Sequence, residues 1–583
     1  MVAIFLMKII DIQLIKFPYY KELAERNRTQ VINQAAPRGR IITSDNVVIA
    51  SNKPTFSLVY FPNYEKDSRE FKKLAHLISE YIGENEQKLY LQLLKFLNIM
   101  KPVKLAENLG AKSIMNLSEL KNFYQGIELI PEANRYYPYN AMLSHILGYM
   151  GKIDQEDWKL YIGNSAYSMD ATVGKSGIEK KYEKYLKGKD GGLYMEVDNR
   201  GRLVRIMDTK QGMTGKDLYL TINFKIQEAA EKALDSLVYK KGCAIAIEPF
   251  TGRILAYAIK PGFDLNFFLE YNENKKNKKF EFDEFNIGIQ GTYAPASTFK
   301  IISTIAALES GKIDVGETFY CPGFYDAGDR IFKCWEKKGH KKVDMLKGLV
   351  NSCDVYYYNV AYKIGPLEIE NIAKKFGVGT KTGIDLPWEK SGNLFGPGIR
   401  AAKQSYWFIG DTLNLAIGQG ETLVTPMQMA VLMASIAAKG RVYRPYYIEK
   451  IVSEREDEIV LKKEPELVRK IELKPQTWEF IYKALKEVVE SGTGQMAKIK
   501  NIDVYGKTGT AQNPHGKDHA WFVAFASYPG EEPGIAVSVL IEHGEHGSSA
   551  AAPVAKEIIK AFYETKIPEI KEEIGPKNVN IIE

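Results

Sequence analysis

A serine three residues ahead of a lysine can serve as a nucleophile with its own base, provided both side chains leave one face of a helix and the lysine is kept from water. That spacing occurs at Ser118-Glu-Leu-Lys121 and at Ser297-Thr-Phe-Lys300. Ser118 opens a polar amphipathic stretch, where a serine ordinarily caps a helix. Ser297 follows Tyr293-Ala-Pro-Ala296 and leads into Thr298 to Leu308, a run apolar almost all round in which Lys300 is the only charge. The run predicts a buried helix ending near Gly311. A lone desolvated lysine there is expected to be neutral, hence basic, and the free N–H groups at the helix start can stabilise an oxyanion beside Ser297. The same residues also fit a lysine that snorkels to the surface and a serine that only caps.

Two further polar triplets complete the set when their order and setting are considered. Ser-x-Asp/Asn stands at Ser44, Ser168, Ser352 and Ser391, and Lys-Ser/Thr-Gly at Lys175, Lys381, Lys390 and Lys507. Ser352-Cys353-Asp354 lies 55 residues after Ser297 as a polar tip before the apolar run Val355 to Ala361. Lys507-Thr508-Gly509-Thr510 lies on the strand-like run Val504 to Ala511, where glycine lets a ligand backbone approach. Lys381-Thr-Gly383 instead leads into the loop Ile384-Asp-Leu-Pro387. Serine, lysine, hydroxyl and cation can thus converge on one strand edge.

The elements that position these groups follow from patterning. Between Phe17 and about Gly215 short strands, turns and helices alternate without a repeat, giving a mixed pedestal. Ala36 to Ala50 reads as two strands around a Ser44-Asp45-Asn46 turn, and Phe71 to Ile82 and Glu84 to Leu97 as helices with apolar residues every three or four positions. At Gly215 to Leu234 the pattern changes to a strand, Leu218 to Ile222, an N-cap at Asn223 and a helix with Ile226, Ala229 and Ala233 inward. Cys243 to Ile247 and Ile254 to Ile259 form one hairpin, Ala520 to Ser527 and Gly534 to Ile541 another, with mainly helical sequence between. One antiparallel sheet closed from both ends around a helical insertion makes an α+β domain.

Composition narrows the class. At 583 residues, 45% hydrophobic and 26% charged, the chain is too long for one core and too apolar to stay disordered, so roughly two to four domains are expected. Seventy-nine basic residues interspersed with 72 acidic ones leave a net +7, which excludes nucleic acid as the implied partner. Met1 to Ile15 is apolar except for Lys8, Asp11 and Gln13. It is shorter than the roughly 20 residues that span a bilayer and has no small-residue cleavage site. It is expected to be the outer end of a longer anchor, or an amphipathic helix.

Four cysteines are too few to staple a chain of this size. Three of them, Cys321, Cys334 and Cys353, cluster with His340, with 12, 5 and 12 residues intervening. Three thiols and an imidazole suit a closed tetrahedral zinc site. A disulfide between two of them with the third thiol buried is the alternative. Because Cys353 separates Ser352 from Asp354, a metal there would pin the second triplet to the Cys321 to His340 loop.

Taken together, Ser297-Thr-Phe-Lys300, Ser352-Cys-Asp354 and Lys507-Thr-Gly-Thr-Ala-Gln512 resemble the three active-site motifs of the penicillin-binding transpeptidases. Gly418-Gln-Gly420, His519-Ala-Trp-Phe522 and His546 to Pro553 extend the resemblance. Pro37-Arg-Gly39, Gly148-Tyr-Met-Gly151 and Gly174 to Glu179 are similar to the pedestal of class B members, particularly the cell-elongation type. The chain departs from the family at Ala296, where a glycine is usual, and at Thr43-Ser44, where an Asp-Arg pair is usual. The N-terminal half holds no glutamate-bearing glycosyltransferase region.

The resemblance implies a partial membrane anchor at 1–16, a pedestal or dimerisation-like domain at 17–215, a transpeptidase domain at 216–565 with helices on both faces of its antiparallel sheet, and a tail at 566–583. It implies that Ser297 attacks the penultimate D-Ala carbonyl of a stem peptide while Lys300 takes its proton, and that N–H groups of Ser297 and Thr510 hold the oxyanion. Ser352 and Lys507 would relay a proton to the leaving amine and Asp354 would orient them. Thr508, Gly509 and Thr510 would bind the substrate, the two hydroxyls holding its carboxylate. No cofactor is required for this chemistry, and β-lactams would acylate the same serine. Some relatives carry metal-ligand residues where the Cys321, Cys334, His340 and Cys353 cluster stands, which adds to the case for a structural zinc. The implied partners are lipid-linked precursor strands, a membrane glycosyltransferase of the elongation machinery and the cytoplasmic membrane, with a single pass and the catalytic domain outside. A D,D-carboxypeptidase or β-lactamase-like hydrolase of the same fold, or a β-lactam sensor or scaffold that does not turn over, would carry the same motifs.

Overall fold

The computed structural model describes residue 5 and residues 8–566, save 62–67, 97–101, 125, 162–166, 168–170, 199–202, 240, 271–281, 403–404 and 454–457. The triplet at Ser168, the tail beyond Lys566 and most of residues 1–7 lie outside the described residues.

Asn46, at φ 64°, turns the chain between β1 (Ile41–Ile42) and β2 (Val48–Tyr60). β2 runs ten residues beyond the expected end at Ala50 and pairs with both β3 (Val103–Ala106) and β4 (Ile127–Tyr136). The expected helices are present at Ser68–Ile82 and Glu86–Phe96, and Phe71, Leu74, Ala75, Ile78, Leu89 and Leu93 pack on Leu58 and Tyr60 of β2. Ser118 does not cap: it sits inside the helix Ala111–Phe123, its hydroxyl donating to the Ile114 carbonyl at 2.7 Å. A mid-helix serine satisfies its hydroxyl on the preceding turn in this way.

The motifs Pro37-Arg-Gly39 and Gly174 to Glu179 meet in a buried cluster. Arg38 donates to Glu179 at 2.6 Å and to Glu183 at 2.7 Å, while Arg135 reaches the other oxygen of Glu179 at 2.7 Å. Gly39 has to be glycine, since a Cβ would lie 1.9 Å from the Lys216 carbonyl oxygen.

The chain leaves the pedestal through β5 (Asp217–Leu220), parallel to β1, and enters α1 (Phe224–Asp235), where Asn223 caps by accepting from the Ile226 N–H at 3.2 Å. The buried face of α1 is Ile226, Gln227, Ala230 and Leu234, not Ala229 and Ala233. The cap fixes the phase of the helix, so the i, i+4, i+8 stripe from Ile226 meets the sheet and the two alanines fall on its flank. Then follow β6 (Gly242–Ile247), β7 (Ile254–Lys260), α2 (Lys300–Ser310), α3 (Asp354–Ile364), α4 (Pro426–Ala437), β8 (Ile448–Val452), β9 (Ile459–Lys462), α5 (Pro475–Glu490), β10 (Asp503–Ala511), β11 (His519–Ser527), β12 (Ile535–Ile541) and α6 (Ala552–Lys566).

The second half forms a five-stranded antiparallel sheet in the order β7-β6-β12-β11-β10, built from both ends of that half as the patterning predicts. Alternate residues face opposite layers. Ala244, Ala256, Phe522 and Val537 pack under α1 and α6, whereas Ile245, Tyr257, Val523 and Leu540 join the core that holds α4, every residue of which is buried. The halves share one sheet: β5, β8 and β9 complete the seven-stranded pedestal sheet in the order β9-β8-β5-β1-β2-β3, with β4 on β2.

Candidate active site

Ser297 stands in a single 3-10 turn, Ala296–Phe299, that runs directly into α2. Ala296 occupies the left-handed region at φ 51°, and its N–H donates to Gly418 at 2.8 Å. That conformation explains why glycine is favoured before the nucleophile. α2 ends at Gly311, φ 65°, as expected.

Lys300, fully buried, comes one turn after Ser297. It is not alone. Its Nζ donates to Asp354 Oδ1 at 2.7 Å, to the Ser352 carbonyl at 2.8 Å and to Ser352 Oγ at 3.2 Å. The expectation of an unpaired Lys300 is therefore corrected, because a carboxylate 54 residues downstream meets its Nζ. Lys507, also fully buried, is the lysine without a carboxylate: among the described residues its Nζ meets only the Thr508 carbonyl, at 3.1 Å. Burial, then the charge on Lys300, hold Lys507 well below the usual ammonium range, against the opposing pull of Asp354.

Motif two is held from both sides. Ser352 lies at φ 53°, and Cys353 caps α3 with its sulfur accepting from the Tyr356 N–H at 3.4 Å. Asp354 Oδ2 accepts from the Trp335 N–H at 3.0 Å, and the Trp335 indole N–H donates to the Asn351 and Ser352 carbonyls, each at 3.1 Å. Motif three lies on β10, the last strand of the sheet. The Thr508 hydroxyl is 2.7 Å from that of Thr493, and the Thr510 carbonyl accepts from Gln419 at 3.1 Å. A Cβ on Gly509 would approach Thr298 to 3.0 Å and Trp521 to 3.1 Å, so glycine lets β10 lie close to the Ser297 turn.

The structure thus gathers Ser297, Lys300, Ser352, Asp354, Lys507, Thr508, Gly509 and Thr510 around one strand edge. Trp335, Thr493 and Tyr357 were not singled out in the sequence. Tyr357 lies beneath the Lys300 ammonium, 5.5 Å from it, with its hydroxyl 2.6 Å from Thr304. Their signals were faint: a tryptophan next to Cys334, a threonine between two glycines, and one aromatic in a run of three. Two of the competing triplets are elsewhere, with Lys175 paired to Asp154 and Ser44 bonded to the Ile222 carbonyl.

The match to known proteins runs along nearly the whole chain. The family model of the penicillin binding protein transpeptidase domain matches residues 242–560, and that of the penicillin-binding protein dimerisation domain matches 33–220. The chain belongs to the class B penicillin-binding proteins. It is 29% identical over 566 residues to the peptidoglycan D,D-transpeptidase MrdA of Acinetobacter baumannii, covering 93% of this chain and 82% of the relative. A complex between PBP2 and MreC from Helicobacter pylori contains a chain 27% identical with a TM-score of 0.76, covering 92% of this chain and 99% of that one. A peptidoglycan synthase complex that couples polymerisation and crosslinking contains one 26% identical with a TM-score of 0.71, 97% of each being covered. This penicillin-binding protein is therefore a serine-type peptidoglycan D,D-transpeptidase of the cell-elongation kind.

Beside motif two, the ligand atoms of Cys321, Cys334, His340 and Cys353 all lie within 4.8 Å of one another. His340 Nδ1 is 3.7 Å from the Cys321 sulfur and 3.5 Å from that of Cys334, and all four cysteines are free. The donor set and its closure fit a tetrahedral zinc. Among the described residues no helix is long and apolar enough to cross a membrane.

Proposed function

We propose that this transpeptidase works through an acyl-enzyme on Ser297, and that its two buried lysines divide the proton work. The observation that carries the reading is the placement of two lysines and one aspartate beside one serine. Lys300, held by Asp354 and in reach of Ser352, has to give up a proton before it can take one from Ser297. A substrate carboxylate on Thr508 and Thr510 would favour the ammonium form of Lys507. A proton can then pass from Lys300 through Ser352 to Lys507, leaving Lys300 free as the base. Ser297 Oγ bonds to the penultimate D-Ala carbon while N–H groups of Ser297 and Thr510 hold the oxyanion. When the amide C–N bond breaks, Lys507 returns its proton through Ser352 to the departing D-Ala amine. β-Lactams acylate the same serine.

Incubation with lipid-linked precursor and a membrane polymerase tests this reading. Cross-linked product that disappears when penicillin is added is expected, whereas release of D-Ala with no cross-links would favour the carboxypeptidase alternative.

The setting of the enzyme is inferred in the same way. Exposed Phe5, Ile9, Ile10, Leu14, Ile15 and Phe17 give the N-terminal segment an apolar surface, which supports attachment to the cytoplasmic membrane with the catalytic domain outside. The relatives solved with MreC and in a peptidoglycan synthase complex support an elongation assembly that includes a glycosyltransferase. Membrane fractionation checks the first point: a chain found entirely in the soluble fraction would contradict it. Cys321, Cys334, His340 and Cys353 would hold a zinc ion that ties the Trp335 loop to motif two, a structural role with no part in bond making. Elemental analysis of untagged protein together with a thiol count decides it, since metal-free protein with two thiols oxidised would contradict the zinc.

A further inference from the structure

Two stretches that stand out in the sequence, Gly418-Gln-Gly420 and His519-Ala-Trp-Phe522, take no part in the proton steps above. Both touch the chain on which the oxyanion donors sit. The donors belong to different elements, the Ser297 N–H to the 3-10 turn that leads into α2 and the Thr510 N–H to β10. An oxyanion is held well only when each donor lies about 2.7–3.1 Å from it. The turn therefore has to be fixed against the strand.

Trp521 stands on β11 directly opposite Gly509, the residue before Thr510. Its side chain is fully buried, and its indole N–H donates at 3.0 Å to the carbonyl of Ala294, three residues before Ser297. The indole thus spans from the pair of strands that carries one donor to the segment that carries the other. The outer end of that segment is fastened separately, because Tyr293 exchanges backbone bonds with Val424 and its hydroxyl donates to Glu542 at 2.6 Å. Losing the indole bond would free the approach to Ser297 without releasing its root.

Gln419 supplies a second tie. Its carboxamide donates to the Thr510 carbonyl at 3.1 Å, while the carbonyl of the adjacent Gly418 accepts from the Ala296 N–H at 2.8 Å. The N–H and C=O of one strand residue leave the strand on the same side. The Thr510 N–H therefore faces the way its carbonyl does, off the last strand of the sheet. Gly418 has to be glycine for this: at φ 66° its Cβ would lie 2.4 Å from that of Phe299 and 2.5 Å from the Ala296 carbonyl oxygen.

We infer that Trp521 and Gln419 are positioning residues that set the spacing of the two oxyanion donors. Trp521 holds the Ser297 turn to β11, and the Gly418-Gln419 pair holds the same turn to Thr510. Neither side chain touches the reacting atoms. The inference rests on the acyl-enzyme reading and adds to it the residues that keep the oxyanion hole formed before substrate arrives.

The test uses the full chain and separates binding from bond making. Trp521→Phe keeps an aromatic ring and loses the N–H, and Gln419→Ala removes the second tie. Tyr482→Phe, on α5, removes a comparable donor that reaches the Ala437 carbonyl at 2.7 Å. Stopped-flow labelling with fluorescent penicillin yields the dissociation constant of the first complex and the rate constant of acylation. The rate constant should fall about tenfold for Trp521→Phe and for Gln419→Ala with the dissociation constant unchanged, and Tyr482→Phe should alter neither. A boronic acid that bonds to Ser297 Oγ places an oxygen where the oxyanion forms, so its affinity should fall by the same factor as the rate constant. Gln419 is half-buried, and its truncation carries the test alone if Trp521→Phe does not fold. A wild-type rate constant in folded Gln419→Ala, or slower acylation with boronate affinity intact, would overturn the assignment. Wild-type protein that takes up no penicillin would instead remove the acyl-enzyme reading beneath it.

Discussion

In the pedestal, Arg38 and Arg135 meet Glu179 and Glu183 out of reach of water, two guanidinium groups against two carboxylates. Beside Ser297, Lys300 and Lys507 are equally buried but, among the described residues, have only Asp354 between them. In the first cluster every charge has a counter-charge. Burial pushes the Glu179 carboxyl up, yet Arg135 and Arg38 hold it below the usual range. In the second, Lys300 takes the carboxylate and Lys507 is left with a backbone carbonyl, so its neutral form is favoured. Balanced burial of charge fixes a fold, whereas unbalanced burial leaves a group ready to exchange a proton.

The largest expected effect breaks the balanced side. Glu179→Gln keeps the shape but leaves the buried Arg135 guanidinium without a carboxylate and Arg38 with Glu183 alone, which should cost about 3–5 kcal/mol of stability. Chemical denaturation would register that loss, while penicillin acylation per folded molecule should stay at the wild-type rate.

On the unbalanced side the effect is one of pH. Protonating Lys507 in the free enzyme places a second ammonium beside Lys300. Acylation should therefore fall as the pH drops through the depressed value of Lys507, by about tenfold per unit on the acid limb. Stopped-flow labelling across pH would show the limb. Lys507→Arg, charged at every accessible pH, should acylate slowly with the limb removed.

A third group sharpens the contrast, a half-buried carboxyl with no cation partner among the described residues. Glu231 on α1 accepts from the Leu143 N–H at 3.0 Å and from Gln227 at 2.7 Å, and burial raises it to about 7 from 4.5. The native carboxyl then holds a proton that the unfolded chain has released. Stability should fall as pH rises from about 4.5 to 7, by about 3 kcal/mol, and Glu231→Gln should flatten that dependence.

The smallest effect concerns the turn that carries the nucleophile. Ala296→Gly relieves a left-handed alanine and should stabilise the protein by about 1 kcal/mol in a thermal melt, leaving acylation intact.

Much of this arrangement was legible because local chemistry dictated it. The cap at Asn223, the stop at Gly311 and the strand carrying Lys507 each follow from residue types a few positions apart. The three motifs separated from their decoys by setting: an apolar helix behind Ser297, another behind Asp354, and a hairpin after Lys507. What stayed hidden was long-range. The Lys300–Asp354 pair joins two helices, Trp335 reaches Asp354 across a loop, and β8 and β9 enter the pedestal sheet from more than two hundred residues after β5. The Ile226 face was misjudged by one step because Ala229 and Ala233 fit a helical period as well as Ala230 and Leu234 do, and only the packing partner separates them.

The most direct measurement is the intact mass of Ser297→Ala after incubation with penicillin, beside the wild-type protein and with circular dichroism to confirm the fold. Wild-type protein should gain one penicilloyl adduct and the folded variant none, whereas an adduct on folded Ser297→Ala would place the nucleophile elsewhere and contradict the mechanism.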